Sequence, residues 1–225
     1  MMNIKKVLSS MTLAGIISIA GGLTTTSVFA AEYKDPESLP QGTTMDEVFF
    51  DQIDDDRVLP MPDGGFLHGE IIEVDAEDPS KVIGIYNSAL DPNAVTVDEA
   101  KKIMSGEKSY VTLSPRGATP PTGWSIKILA ANDEYISDAF SGSGWRFSNY
   151  MFRPADGTGY YLRWTSINDS GRVGSYDNAV NTLNGNTQGM ELQIGISRSF
   201  QNGYSGQIYY TYNPVSGTKY YVENR

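Results

Sequence analysis

Residues 124–225 carry 18 of the 25 aromatic residues in the chain, most of them in short runs where apolar and polar side chains alternate. An extended strand sends successive side chains to opposite faces, so alternation marks strands with one buried face. The clearest run is 190–197, where Met190, Leu192, Ile194 and Ile196 share one side and Glu191 and Gln193 the other. This predicts a half-buried antiparallel strand with the four apolar residues inward. Residues 124–128, 144–147 and 161–165 behave similarly. Two tyrosine-rich runs, 207–212 and 218–222, predict a terminal hairpin turning through Asn213, Pro214, Val215, Ser216 and Gly217. No helix is expected after residue 119. The expected fold is therefore mainly β, with an antiparallel β-sandwich or barrel-like domain over 119–225.

The preceding stretch differs in charge. Residues 31–118 hold 19 Asp/Glu against 7 Lys/Arg, a net of −12, whereas 119–225 hold 8 of each. Residues 31–63 read as an acidic, weakly structured lead. Four prolines (36, 40, 60 and 62) punctuate it, and one apolar knot of Val48, Phe49, Phe50 and Ile53 can dock on a folded body. Residues 64–118 read as an acidic α+β segment. Strands are expected at 70–74, 81–86 and 110–113. A helix is expected from Val97 to about Ser105, with Thr96 as its N-cap, Glu99 completing a capping box and Gly106 closing the end. Proline and glycine at 119–123 mark the expected domain boundary.

Residues 1–30 read as a secretory signal peptide. Lys5 and Lys6 precede an apolar stretch containing Leu13, Ile16, Ile17 and Ile19, and Val28-Phe29-Ala30 fits a cleavage site before Ala31. Gly15, Gly21 and Gly22 interrupt that stretch, so no transmembrane segment is expected in the mature chain. The expected location is secreted or extracellular. The chain has no cysteine, which excludes disulfides, thiolate nucleophiles and cysteine-ligated zinc. Its one histidine, His68, reads as a loop or strand-edge residue. No basic groove is apparent, so nucleic acid is not an expected partner.

Three chemistries compete. Exposed indole and phenol rings stack on the apolar faces of sugars, which makes the tryptophans and the terminal tyrosines candidate ligand-binding residues. Those singled out are Trp145, Trp164, Tyr209, Tyr210, Tyr220 and Tyr221, with Tyr212 and Trp124 in the same aromatic set. Because adjacent tyrosines point to opposite sides of a strand, one of each pair is predicted to face outward. Asp169 and Asp177, in turn-like segments, are candidate calcium ligands; no other cofactor is expected. A carboxylate pair for glycoside hydrolysis would come from Asp133, Glu134, Asp138, Asp156, Asp169, Asp177, Glu191 and Glu223, of which only Glu191 sits centrally in a clear strand. The leading expectation is a secreted or envelope-associated, non-enzymatic binding protein for cell-wall carbohydrate or a surface protein. The alternatives are a toxin or bacteriocin-like effector with an acidic pro-region, and a glycoside hydrolase that uses neither cysteine nor histidine.

Overall fold

The computed structural model describes residues 49, 50, 53, 57–109, 117–121, 125–156, 161–201 and 206–224. The expected signal peptide, most of the acidic lead, the strand expected at 110–113 and Trp124 lie outside these residues.

The fold is mainly β and built from open antiparallel sheets, none of which closes into a barrel. The largest sheet has seven strands. In spatial order they are β13 (Arg198–Gln201), β10 (Tyr161–Ile167), β15 (Lys219–Glu223), β7 (Glu134–Ile136), β2 (Phe66–His68), β1 (Arg57–Pro60) and β5 (Val95–Thr96). A second sheet runs β12 (Met190–Leu192), β11 (Gly171–Gly174), β14 (Ile208–Tyr212) and β8 (Trp145–Phe147). A third runs β4 (Val82–Asn87), β3 (Glu70–Asp75), β6 (Ser125–Leu129) and β9 (Met151–Pro154), with only the β6–β9 pair parallel.

The expected boundary at 119–123 does not divide this structure. β1, β2 and β5 precede it, yet they complete the same sheet as β7, β10, β13 and β15, with β2 paired to β7 across the boundary. Residues 36–225 form one compact unit. Charge composition distinguished the two stretches, but strand pairing ignores it, because backbone hydrogen bonds are indifferent to the sign of nearby side chains.

The main core lies among the three sheets. Leu162, Trp164, Tyr220 and Val222 of the large sheet meet Val173, Leu192 and Tyr209 of the second and Ile71, Leu129 and Phe152 of the third. The seven-stranded sheet and the second sheet each bury part of their other face too. On the seven-stranded sheet, Val58, Phe66, Ile136, Ile167 and Tyr221 lie under Phe49, Phe50 and the helix α1 (Val97–Met104). On the second sheet, Phe147, Ile208 and Tyr210 pack against Ala179 of the helix α2 (Tyr176–Leu183).

α1 forms over the expected residues, but Glu99 does not complete the capping box, since its carboxylate pairs with Lys108 instead. Thr96 Oγ1 accepts the Glu99 amide at 3.2 Å, Asp98 and Glu99 sit at the positive end of the helix, and Ala100 faces the sheet. α2 was not expected. Asn and Asp are poor helix formers, and eight residues are too few to hold a helix alone. Its start is secured by a full capping box: Ser175 Oγ accepts the Asn178 amide at 3.3 Å and Asn178 Oδ1 accepts the Ser175 amide at 3.0 Å.

Two strand expectations are corrected. β12 ends at Leu192, and only Leu192 of the four apolar residues points inward; Met190, Ile194 and Ile196 are exposed. β12 is an edge strand, and Gly195 turns with φ +68°, so the alternation beyond Leu192 has no ladder to act on. The terminal hairpin also does not form. β14 pairs with β11 and β8, while β15 pairs with β10 and β7, so the link between them is an arch that crosses from one sheet to another. A surface hairpin would leave one row of tyrosines in water. Placing each strand in the interior of a different sheet buries Tyr209, Tyr210, Tyr220 and Tyr221 together.

Candidate functional site

The outer face of the second sheet carries a shallow groove of about 140 Å³ lined by Trp145, Arg172, Glu191, Tyr210 and Tyr212. Period-two alternation places Tyr210 and Tyr212 on the same side of β14, and antiparallel register sets Tyr212 opposite Trp145 and Arg172 opposite both Tyr210 and Glu191. The rings form a continuous set. Trp145 meets Tyr212 at a centroid distance of 5.2 Å and Tyr210 at 5.9 Å. Tyr210 is the buried floor, and its hydroxyl donates to the Gln188 carbonyl at 2.7 Å; burial pushes its phenol above the usual value. Tyr212 is 57% exposed and forms an open wall with the half-buried Trp145.

Arg172 forms the polar edge. Arg172 Nη1 donates to the Gly189 carbonyl at 2.9 Å, and Nη2 reaches Glu191 Oε2 at 3.4 Å. Gly189 has φ +84°, and a Cβ there would run into the Tyr210 hydroxyl, so only glycine delivers that carbonyl to Arg172. Among the described residues, Arg172 and Glu191 are the only charged side chains in the lining. A larger depression of about 380 Å³, between Met190, Phe200 and Gln207, is lined by no charged group and one aromatic ring among the described residues.

The structure distributes the singled-out aromatic residues unevenly. Trp145 and Tyr210 meet in the groove. Trp164, Tyr209 and Tyr220 lie in the main core, where Tyr209 stacks on Tyr220 across the sheets at 4.9 Å and 25°. Trp164 Nε1 donates to Gln207 Oε1 at 3.1 Å, and Tyr209 Oη shares a 2.7 Å hydrogen bond with Ser166 Oγ. Tyr221 is buried on the opposite face, edge-on to Phe49 at 5.8 Å. The expectation that one tyrosine of each pair is displayed to solvent is thus overturned, because Tyr210 and Tyr221, which point away from the main core, are buried as well. Arg172 was not singled out from the sequence. Its signal was faint, a single basic residue on a strand of glycines and valine, and its neighbours come from strands distant in the chain.

Asp169 and Asp177 serve local structure. Asp169 accepts the Ser170 amide at 2.8 Å and the Val215 amide at 3.3 Å, while Asp177 lies exposed in the first turn of α2. Among the described residues no group of three or more His, Asp or Glu side chains is disposed to hold a metal.

A second polar assembly crosses the seven-stranded sheet. Ser199, Arg163, Glu223, Glu134 and His68 are successive cross-strand partners on β13, β10, β15, β7 and β2. Arg163 Nε lies 2.8 Å from Glu223 Oε1, and His68 Nδ1 lies 3.3 Å from Glu134 Oε1. Between the carboxylates, the Tyr221 hydroxyl donates toward Glu134 and toward Glu223, the latter at 2.9 Å. Burial drives the Tyr221 phenol far above its usual value, and the two neighbouring carboxylates reinforce the shift. Glu134 and Glu223 were two of eight candidate carboxylates. Glu191, the one placed centrally in a predicted strand, is instead a surface partner of Arg172. Strand register, invisible locally, selects the actual pair. The pair is 5% and 1% exposed, so solutes do not reach it in this conformation.

No helix among the described residues is long and apolar enough to cross a membrane. The chain matches no protein-family model, no curated protein and no solved structure.

Proposed function

We propose that this chain is an exported, non-enzymatic binding protein whose ligand is a polymeric carbohydrate of the cell envelope, gripped in the Trp145–Tyr212 groove. The observation that carries the reading is an exposed ring, Tyr212, set against Trp145 beside a fixed guanidinium. Sugars need both features: a flat apolar surface for their CH faces and oriented donors for their hydroxyls. The groove is smaller than the roughly 300–1,000 Å³ of pockets that enclose a ligand, so it suits one ring of a longer chain. Stacking contributes only about 0.5–1.5 kcal/mol per aromatic contact, so useful retention comes from repeated engagement along a polymer. The signal-peptide pattern of residues 1–30 supports a location where such polymers occur.

Two alternatives are weaker on the same observations. A removable acidic first half fits poorly with β1, β2 and β5 completing the large sheet. A hydrolase fits poorly with a carboxylate pair shut inside the fold.

Retention on purified bacterial cell walls tests the proposal. Tyr212→Ser should release the protein while its melting temperature stays close to that of the parent, since this ring is mostly in solvent. Retention unchanged in Tyr212→Ser and in Trp145→Ala would rule the groove out. Mass measurement of exported material should give a chain beginning at Ala31, and one beginning near residue 119 would favour the pro-region instead.

A further inference from the structure

We propose that the groove selects a sugar unit bearing a carboxylate, which docks on Arg172 in place of Glu191 while its ring lies on Trp145 and Tyr212. The inference rests on the carbohydrate-binding reading and adds the chemical class of the ligand.

Three features of the groove support it. First, Arg172 is pre-positioned. Its Nη1 is tied to the Gly189 carbonyl at 2.9 Å, and Gly189 owes its place to a backbone that tolerates no Cβ. A guanidinium fixed in this way loses little further freedom on meeting a ligand, and its planar fork matches a carboxylate. Second, its present partner is loose. Glu191 stands on the edge strand β12 with its side chain 62% exposed, and the 3.4 Å separation exceeds the roughly 2.7–2.9 Å of a good charge-assisted hydrogen bond. Exposed ion pairs of this kind are weak, so an incoming carboxylate displaces Glu191 at little cost. Third, the charges balance. With Glu191 swung out, Arg172 is the one charged group left among the described residues of the groove lining, and a ligand carboxylate restores neutrality where the internal one already fits. The near-neutral composition of residues 119–225 does not oppose an anionic ligand, unlike the acidic stretch before it.

The test is calorimetric titration at low salt with tetragalacturonate, its fully methyl-esterified form, a neutral chitotetraose and a glycerol-phosphate oligomer. The acid and its ester share one sugar skeleton and differ only in charge. Tetragalacturonate should bind about tenfold tighter than its ester, the scale of one charge-assisted hydrogen bond. Arg172→Gln, which removes a donor the groove offers to either form, should weaken both and abolish the preference for the acid. Glu191→Gln, which removes the internal competitor at an exposed site without threatening the fold, should tighten the acid by up to about fivefold and leave the ester unchanged. Equal binding of acid and ester, or weaker acid binding in Glu191→Gln, overturns the inference while leaving carbohydrate binding intact. Tighter binding of the glycerol-phosphate oligomer than of the uronate overturns carboxylate selectivity in favour of phosphate. If neither form of the galacturonate nor chitotetraose binds, the carbohydrate-binding reading falls and the inference with it.

Discussion

Leu192 and Ile194 stand two residues apart with similar side chains, and the structure gives them opposite fates. Leu192 is sealed in the main core, whereas Ile194 is 57% exposed beside a glycine turn. Burial, and not hydrophobicity of the residue type, sets the cost of truncation. Leu192→Ala should lose about 2–5 kcal/mol in denaturant melts. Ile194→Ala should stay within about ±0.5 kcal/mol, as surface changes do. Equal losses would mean that β12 continues past Leu192 and that the edge has been drawn too short.

Within the elements, short pieces are held by a few specific polar contacts. α2 has little intrinsic tendency to form, so its capping box matters more than in a long helix. Ser175→Ala should cost about 0.5–2 kcal/mol, read from thermal melts, and Ser175→Asp should recover most of it. The third sheet is fastened differently. Lys127 of β6 is buried with its ammonium 2.5 Å from Glu73 of β3 and 4.5 Å and 4.6 Å from the ring centres of Tyr86 and Tyr150. Burial opposes ionisation of Glu73, but hydrogen bonds from Lys127, Ser125 and Tyr86, with the Lys127 charge, outweigh it and hold the carboxyl below its usual 4.5. The same burial draws the Lys127 ammonium down despite the pull of Glu73. A carboxyl lowered on folding stabilises the protein above its unfolded value, and that contribution is lost as pH falls through the folded value. The melting temperature should therefore drop on acidification below about pH 4.5. Glu73→Gln should begin less stable at neutral pH, with Lys127 buried without that counter-charge, and should fall less steeply in acid. Parallel pH profiles for the two proteins would show that the pair does not govern acid stability.

At the scale of the whole molecule, the arch between β14 and β15 joins two sheets, and the Tyr209–Tyr220 stack lies where they meet. The described residues of the acidic lead belong to the same unit. Phe49 and Phe50 are buried against Tyr221 and Phe66, covering a sheet face that would otherwise be open to water. Phe49→Ala should cost about 3–5 kcal/mol in denaturant melts, the usual range for removing a buried aromatic ring. A loss below about 0.5 kcal/mol would mark the lead as a detachable segment.

Local sequence determined the local elements. The N-cap and apolar face of α1, the strands β3 and β4, and the strands at β6, β8 and β10 were all legible, because each depends on residues a few positions apart. Aromatic alternation likewise announced a mainly β protein. Which strands meet was not legible. The run containing Tyr209 and Tyr210 reads the same whether it forms half of a surface hairpin or the middle of a covered sheet, since both faces are apolar. Likewise, Glu134 and Glu223 become neighbours, and Arg172 becomes the edge of an aromatic groove, only through register between segments far apart in the chain. Such pairings are decided by the burial of whole sheet faces, a quantity that no short stretch of sequence contains.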